Sequence, residues 1–465
     1  MQAKVAVSRQ AAFNRLADAI AARLSPHEHF RLTLTGEESQ FTRFNCARVR
    51  QTGQVQDAQL RLTLMTDIQT AYSEVPFTQD FDTDWGWLQA ALAHLQQSLP
   101  LLPEDPYVVL PVSAAGSRAV HSDIPTEHPT EAPVEPNPEA LLLPVDQAAA
   151  TLLAPVQGLD FAGIYAGGLS FRGYADSAGQ HHWFETTAYT LDYSLFDAQG
   201  RAVKGTLAGQ RWNPSVYLDK VAATKAQLAL MARPTKTVPR GQYRTYLAPA
   251  AMAEILMMFS WGGVSETELQ QGNSAFGLLQ RQEKCLSSRF SLTENFRRGG
   301  VPRFNSFGEV SPLQLPVIAR GQLVNSLVSS RSAREYDKSS NYAELDEALR
   351  APDVATGGLS ADDILPQLGT GLYLSNLHYL NWSDHPNGRI TGMTRYACFW
   401  VEGGELVAPI ANLRFDDSLY RFLGPQLLDL TQFQEFIPNV DTYDVRGLGG
   451  IWTPGALVEG FTYTL

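Results

Sequence analysis

Cysteine is scarce in this 465-residue chain. The three present, Cys46, Cys285 and Cys398, have no paired spacing, so neither a disulfide framework nor a close-pair zinc knuckle is indicated. Free thiols in a reducing compartment are expected. Long apolar runs are missing too: no stretch approaches the length that crosses a bilayer, and residues 1–23 scatter Arg and Asp among their apolar residues where a secretory signal would be continuous. A cytoplasmic chain with no membrane partner follows. Basic charge is in deficit, with 36 Lys and Arg against 48 Asp and Glu, a net charge of −12 and a pI near 5.3. That excludes a broad phosphate-tracking surface, so no nucleic-acid partner is expected. Histidine is absent between His182 and His378, and no internal repeat is visible.

At this length two or more domains are expected, and 44% hydrophobic with 18% charged residues describes a globular chain. Residues 8–24 put Phe13, Leu16, Ile20 and Leu24 on one helical face. Alternation at 30–35, with Phe30, Leu32 and Leu34 against Arg31, Thr33 and Thr35, and again at 59–66, predicts strands, with Gly53 supplying a turn between them. A second helix is expected over 81–99, capped by Asp82 or Asp84 and packed through Trp87, Leu88, Leu92 and Leu95. Residues 111–140 are rich in Pro, Ser, Glu and Thr, contain His121 and His128, and read as a long exposed loop. A helix over 142–155, a hairpin over 182–211, and a helix over 216–232 ended by Pro234 complete the first half. A domain boundary is placed there, giving an α+β N-terminal domain at 1–235 and a β-rich C-terminal domain at 236–465.

The second half is organised around residues 368–414. Gly369 and Gly371 permit unusual backbone angles before a strand, and Tyr396, Phe399, Trp400 and Val401 run into Gly403-Gly404 as into a tight hairpin turn, with residues 381–388 a polar interruption. Gly369-Thr370-Gly371-Leu372-Tyr373, Arg389-Ile390-Thr391-Gly392, the segment Phe399-Trp400-Val401-Glu402-Gly403-Gly404-Glu405, and Pro409-Ile410 occur in this order. By these segments the chain resembles the TldD/PmbA family, once described as modulators of DNA gyrase. The resemblance is strong over the last half and only patternlike before Pro234. Phe304-Asn305-Ser306-Phe307-Gly308 stands where the family carries Phe-Asp-Asp-Glu-Gly.

The resemblance implies a two-domain α+β fold and draws attention to the helix at 250–262. Chains of the TldD type carry His-Glu-x-x-x-His there, with a further cysteine ligand near the C-terminus, because two imidazoles on one helix face hold zinc beside a water-activating carboxylate. In this chain Met257, Met258 and Trp261 stand at about those places, and Arg446 and Gly447 at about that of the cysteine. Glu254 is expected to be salt-bridged or solvent-facing. The pattern resembles the TldE (PmbA) branch, whose members lack the ligands and pair with a zinc-bearing TldD chain. Three things are therefore implied: no metal, cofactor or catalytic residue here; a TldD-like partner, or a second copy of this chain; and an extended or unfolded peptide as substrate. Candidate substrate-binding residues are Gly369, Thr370, Gly371, Tyr373, Arg389, Thr391 and Gly392, acting by strand addition at 369–373 and through a turn at 391–394.

Other constellations are weaker. His378, Asp384 and His385 could form a base or metal site, but 383–388 reads as a surface turn. His27-Glu28-His29 lacks a third ligand. Arg297-Arg298 could bind a carboxylate terminus but reads as an exposed loop, and Ser287 and Ser288 have no nearby His to make a nucleophile. The alternatives are a homodimer that binds peptides without cutting them and an enzyme with an unrecognised site.

Overall fold

The computed structural model describes residues 8–112, 142–298 and 300–464. All but the first two residues of the expected 111–140 loop, with His121 and His128, lie outside them. The first half runs α1 (Arg9–Ala21), β1 (His29–Asn45), β2 (Arg48–Met65), β3 (Thr70–Pro76), α2 (Phe81–Ser98), α3 (Val145–Leu153), β4 (Asp160–Asp176), β5 (His181–Phe196), β6 (Ala202–Gly209) and α4 (Pro214–Met231). Its strands form one antiparallel sheet ordered β3-β2-β1-β4-β5-β6. Phe30, Leu32 and Leu34 of β1 and Leu60, Leu62 and Leu64 of β2 face α1 and α2, whose Phe13, Leu16, Ile20, Leu88, Leu92 and Leu95 complete that core. The polar positions between them line the opposite face.

Local chemistry moved some boundaries. The first hairpin turns at Cys46 and Ala47, both near φ 51°, while Gly53 lies within β2 opposite Phe41. Such left-handed pairs make a tight two-residue turn whatever the residue type, and neither residue advertises it. Asp80 caps α2 by accepting from the Thr83 N–H at 3.0 Å. Asp84, expected as a cap, is instead buried and accepts from the Thr78 N–H and hydroxyl at 2.9 and 2.7 Å, and Trp87 is exposed. In α4 the buried face is Tyr217, Val221, Thr224, Leu228 and Met231, with Leu218 outside.

The second half continues with β7 (Gly241–Leu247), α5 (Pro249–Ser260), α6 (Glu266–Gln271), α7 (Gly277–Gln280), β8 (Leu292–Asn295), β9 (Gln314–Ala319), β10 (Gln322–Leu323), α8 (Ser330–Tyr336), β11 (Pro352–Val354) and α9 (Ile364–Leu368). It ends with β12 (Gly371–Asp384), β13 (Arg389–Glu402), β14 (Glu405–Pro409), β15 (Arg414–Ser418), α10 (Leu419–Phe422), β16 (Leu427–Leu430), β17 (Glu435–Pro438), β18 (Gly450–Thr453) and β19 (Ala456–Tyr463). Two sheets result. One is ordered β10-β9-β8-β11-β18-β17; the other runs β12-β7-β19-β15-β13-β14 and closes on itself because β12 also pairs with β13. Of the expected polar interruption at 381–388, residues 381–384 are strand, since β12 reaches Asp384, and 385–388 form the turn.

The fold is thus α+β with three sheets. Its largest apolar core joins the closed sheet to α5 through Leu247, Met252, Ile255, Phe259, Leu374 and Phe461. The two halves interlock: Tyr174 donates to the Phe307 carbonyl at 2.8 Å, and the His182 ring donates from Nε2 to the Gly308 carbonyl at 2.9 Å and stacks on Phe304. Among the described residues no helix is long and apolar enough to cross a membrane.

Candidate functional site

Pro249 opens α5 with a preset φ, and Ala251, Met252, Ile255, Leu256 and Phe259 turn its apolar side into the core. Met258 is buried as well, whereas Met257 and Trp261 are more than half exposed at 59% and 56%. The place where the resemblance puts zinc ligands therefore carries two thioethers on different sides of the helix and an indole whose nitrogen bears a proton. These donors do not fit a zinc ion. Among the described residues no group of three or more His, Cys, Asp or Glu converges for a metal. Glu254 is half-buried, without an ion pair among the described residues. Burial raises its pKa, opposed by the charge of Lys204, so the expected salt-bridged or solvent-facing role does not describe it.

The C-terminal end of α5 is capped from β12. Trp382 donates from Nε1 to the Trp261 carbonyl at 2.6 Å and His385 from Nε2 to the Gly262 carbonyl at 2.8 Å, the two rings stacking 4.7 Å apart. Gly262 has φ 88°, and a Cβ there would stand 2.4 Å from His385 Nε2, so glycine is required. His385 thus opens the expected turn, at 385–388, while its half-buried ring caps α5. His378 packs against Tyr379 with tilted rings 4.0 Å apart and Asp384 accepts from Asn387 at 2.9 Å, so this trio does not converge. Glu28 accepts from Gln96 Nε2 at 2.9 Å and from the Ser25 N–H at 2.7 Å.

The glycine-flanked strand serves the closed sheet. Gly369, φ 63°, ends α9 and accepts from the Gly404 N–H at 2.8 Å, while the Thr370 hydroxyl accepts from the Gly403 N–H at 3.3 Å. Gly371 lets β7 approach: a Cβ there would meet the Arg244 carbonyl at 2.1 Å. Tyr373 packs on Tyr246 at 5.3 Å. Arg389 pairs with Asp416 at 2.6 Å, Thr391 donates to the Phe415 carbonyl at 2.8 Å, and Gly392 makes room for the Phe415 ring. Residues 371–374 pair with β13 on one edge, and 372–374 pair with β7 on the other. With both edges taken, a peptide cannot add as a strand at 372–374, and 391–394 is the middle of β13 rather than a turn.

A concavity lies elsewhere. A cavity of about 1130 Å³ separates the polar face of β1–β3 from residues 105–109 and from Ser306, Phe307, Arg331, Leu345 and 443–445. Arg61 pairs with Glu74 between neighbouring strands on the sheet wall, and Arg331 with Asp105 on the facing wall, each at 2.6 Å. The Arg31, Thr33, Thr35 alternation is the sequence signal that pointed to this face.

Several buried charges left no local signal. Glu294, 3% exposed, accepts on Oε1 from the Arg350 and Ala351 N–H groups at 2.7 and 2.8 Å, while Oε2 has no partner. Burial pushes its carboxyl up to about 7, against the pull of those N–H donors and Arg350. Glu347, 1% exposed, has the opposite fate: donors from Ser265, Thr267, Ser329 and Ser332 outweigh its desolvation and hold it below the usual carboxylate value. Arg446 is buried and donates to the Gly168 and Ala188 carbonyls at 3.1 and 2.8 Å, pinning the C-terminal loop to the first sheet.

Three solved structures, each 14% identical, share this fold over nearly the whole chain. One, from Thermotoga maritima, is described as a candidate modulator of a DNA gyrase; it covers 97% of this chain and 99% of its own, with a TM-score of 0.74. TldE from Thermococcus kodakarensis covers 98% and 100% with 0.73, and a candidate modulator of DNA gyrase from Bacteroides thetaiotaomicron covers 97% and 98% with 0.71. No curated protein sequence matches the chain. At this identity the structures establish the fold alone. Residues 240–464 match the family described as the PmbA/TldA metallopeptidase C-terminal domain. Through that domain the chain belongs to the PmbA/TldD metallopeptidase family.

Proposed function

We propose that this chain is a TldE-like subunit that carries no zinc of its own and joins a zinc-bearing TldD-type chain to form a cytoplasmic peptidase, shaping the chamber and holding extended peptide while its partner cuts. One observation carries the reading: Met257 and Met258 on α5 and Trp261 at its C-cap stand at about the places where cleavage chemistry would need imidazoles and a carboxylate. The likeness to a TldE structure supports it. The halves 1–235 and 236–465 act as its two domains, consistent with the first sheet drawing every strand from before Pro234. Gly369, Thr370, Gly371, Tyr373, Arg389, Thr391 and Gly392 contribute to substrate binding through the shape they give the closed sheet, with Thr370 exposed to a ligand.

The test is co-expression with a relative bearing His-Glu-x-x-x-His from the same genome, followed by peptide cleavage with and without a chelator. The reading predicts a stable heteromeric complex and chelator-sensitive cleavage that neither this chain alone nor a zinc-ligand variant of the partner provides. A chain that forms only homodimers and binds peptide unaided would overturn it.

A further inference from the structure

Residues 102–112 cross one end of the first sheet without joining it. Pro103, Pro106 and Pro111 lack the N–H groups a strand needs, and the segment has no helix or strand. The strand register fixes where it lies. Ile68, in the β2–β3 turn, accepts from the Asp105 N–H at 2.6 Å, and Gln69 beside it donates to the Leu102 carbonyl at 2.7 Å. Arg31, opposite Thr63 of β2 and Asp176 of β4, donates to the Val109 carbonyl at 2.7 Å; Gln180, in the β4–β5 turn, donates to the Val112 carbonyl at 3.3 Å. These anchors follow one another from β3 to β5 along a single end of the sheet. The segment therefore walls that end of the 1130 Å³ cavity, which it lines through Asp105, Tyr107, Val108 and Val109.

Side chains fasten it, rather than a ladder or a core. Among the described residues, the Asp105 N–H makes the one backbone–backbone bond from 103–112 to another element, and Val108 is the one fully buried apolar side chain of that stretch. The second half reaches it from α8 alone. Arg331 grips both oxygens of Asp105, at 2.6 and 3.3 Å, and Arg334, three residues on, donates to the Val108 carbonyl. The same carboxylate accepts from the Tyr107 N–H at 2.9 Å, so one ion pair holds both the segment and its bend. The Arg331 and Asp105 side chains are 37% and 27% exposed, within reach of water and salt. The Tyr174–Phe307 and His182–Gly308 bonds that interlock the halves are buried and do not involve 102–112. Few apolar contacts and solvent-accessible anchors describe a segment that opens locally while the rest stays folded.

We propose that residues 102–112 are a strap that opens and closes this end of the cavity, with the Arg331–Asp105 ion pair as its latch. Closed, the strap stands before Arg31, Thr33 and Thr63 on the cavity floor. Released, it withdraws its carbonyls from Arg31 and Arg334 and admits solutes to that floor. Asp57 lies six residues along β2 from Thr63, roughly 20 Å away, beyond the strap's reach. The strap acts within this chain, whatever subunit joins it.

The test is the rate at which N-ethylmaleimide modifies a cysteine placed on the floor of the full chain. Cys46→Ser and Cys285→Ser remove the exposed thiols, and Thr33→Cys, with Thr63→Cys as a second reporter, marks the floor behind the strap. Adding Asp105→Asn is expected to speed labelling about fivefold or more, Arg331→Gln to do the same, and the two together to add nothing further, since both remove one ion pair. Raising sodium chloride from about 0.05 M to about 0.5 M should speed labelling of the latched protein and leave the Asp105→Asn protein unchanged. A reporter at the far end, Asp57→Cys, should label at one rate throughout. Amide exchange should quicken over 103–110 in Asp105→Asn with the urea midpoint and the exchange of β1 and β4 unmoved, whereas a merely structural ion pair would lower the midpoint and quicken exchange across the sheet. Equal labelling at Thr33→Cys and Thr63→Cys with and without the latch, a matching rise at Asp57→Cys, or exchange quickened throughout β1 and β4 would overturn the proposal.

Discussion

Replacing Glu294 by glutamine should stabilise the protein in mildly alkaline solution and leave it nearly unchanged in mild acid. The carboxyl is buried between β8 and the chain at 350–351, with two backbone N–H groups on Oε1 and nothing on Oε2. Its folded pKa is raised from 4.5 to about 7, chiefly by burial. A raised acid is protonated in the folded state while the unfolded chain has already ionised, so its contribution to stability is fully present below 4.5 and is lost as pH rises through about 7. At about 1.4 kcal/mol for each tenfold change in proton affinity, that loss amounts to roughly 3 kcal/mol. The carbonyl of the substituted side chain would keep both N–H donors, and its NH₂ would replace the oxygen that has no partner, so the amide mimics the protonated acid. Urea unfolding of wild type and Glu294→Gln from pH 5 to pH 9 should show curves that nearly coincide at pH 5 and separate, with the variant more stable by up to about 3 kcal/mol, by pH 9. Parallel curves across that range would refute the reasoning, because they would mean the carboxyl titrates alike in both states.

Glu347→Gln should do the reverse: an amide NH₂ would face two of the four donors that hold the carboxylate, costing about 3 kcal/mol or more at pH 7, read as a drop in the urea midpoint. The wild-type advantage should fade as pH falls through the carboxylate range, since that pKa is depressed. Gly371→Ala would push a methyl onto the Arg244 carbonyl at 2.1 Å and should cost about 1–3 kcal/mol, visible as a lowered melting temperature. His182 is buried neutral, its pKa lowered by desolvation, with Nδ1 unpartnered. Stability should therefore fall as pH drops below the ordinary imidazole value, and the fall should be smaller in His182→Gln when the two are unfolded in parallel.

What was legible in the sequence was local and periodic. Alternation at Tyr189, Leu191, Tyr193 and Leu195 marked β5, Gly403-Gly404 marked the β13–β14 turn, and the apolar run after Pro249 marked α5. The closing of the sheet was not legible, because β12 pairs in parallel with β7 across more than a hundred residues and leaves no mark on either strand. That pairing takes up the edge at 372–374 and so removes part of the free edge on which strand addition at 369–373 depended. The turn at Cys46-Ala47 was hidden because ordinary residues there adopt left-handed angles that glycine would have announced. Burial of Arg31, Glu294 and Glu347 was equally invisible, since a charged residue reads as solvated until tertiary neighbours cover it. The absent imidazoles on α5 were legible outright, being a matter of residue identity.

The central claim is that hydrolysis belongs to another polypeptide. It is tested most directly by assaying chelator-sensitive cleavage of an unfolded polypeptide by the purified chain alone, by a His-Glu-x-x-x-His relative alone, and by the two together. The account predicts no cleavage by this chain, and chelator-sensitive cleavage once the partner is added; cleavage by this chain alone that a chelator abolishes would contradict it.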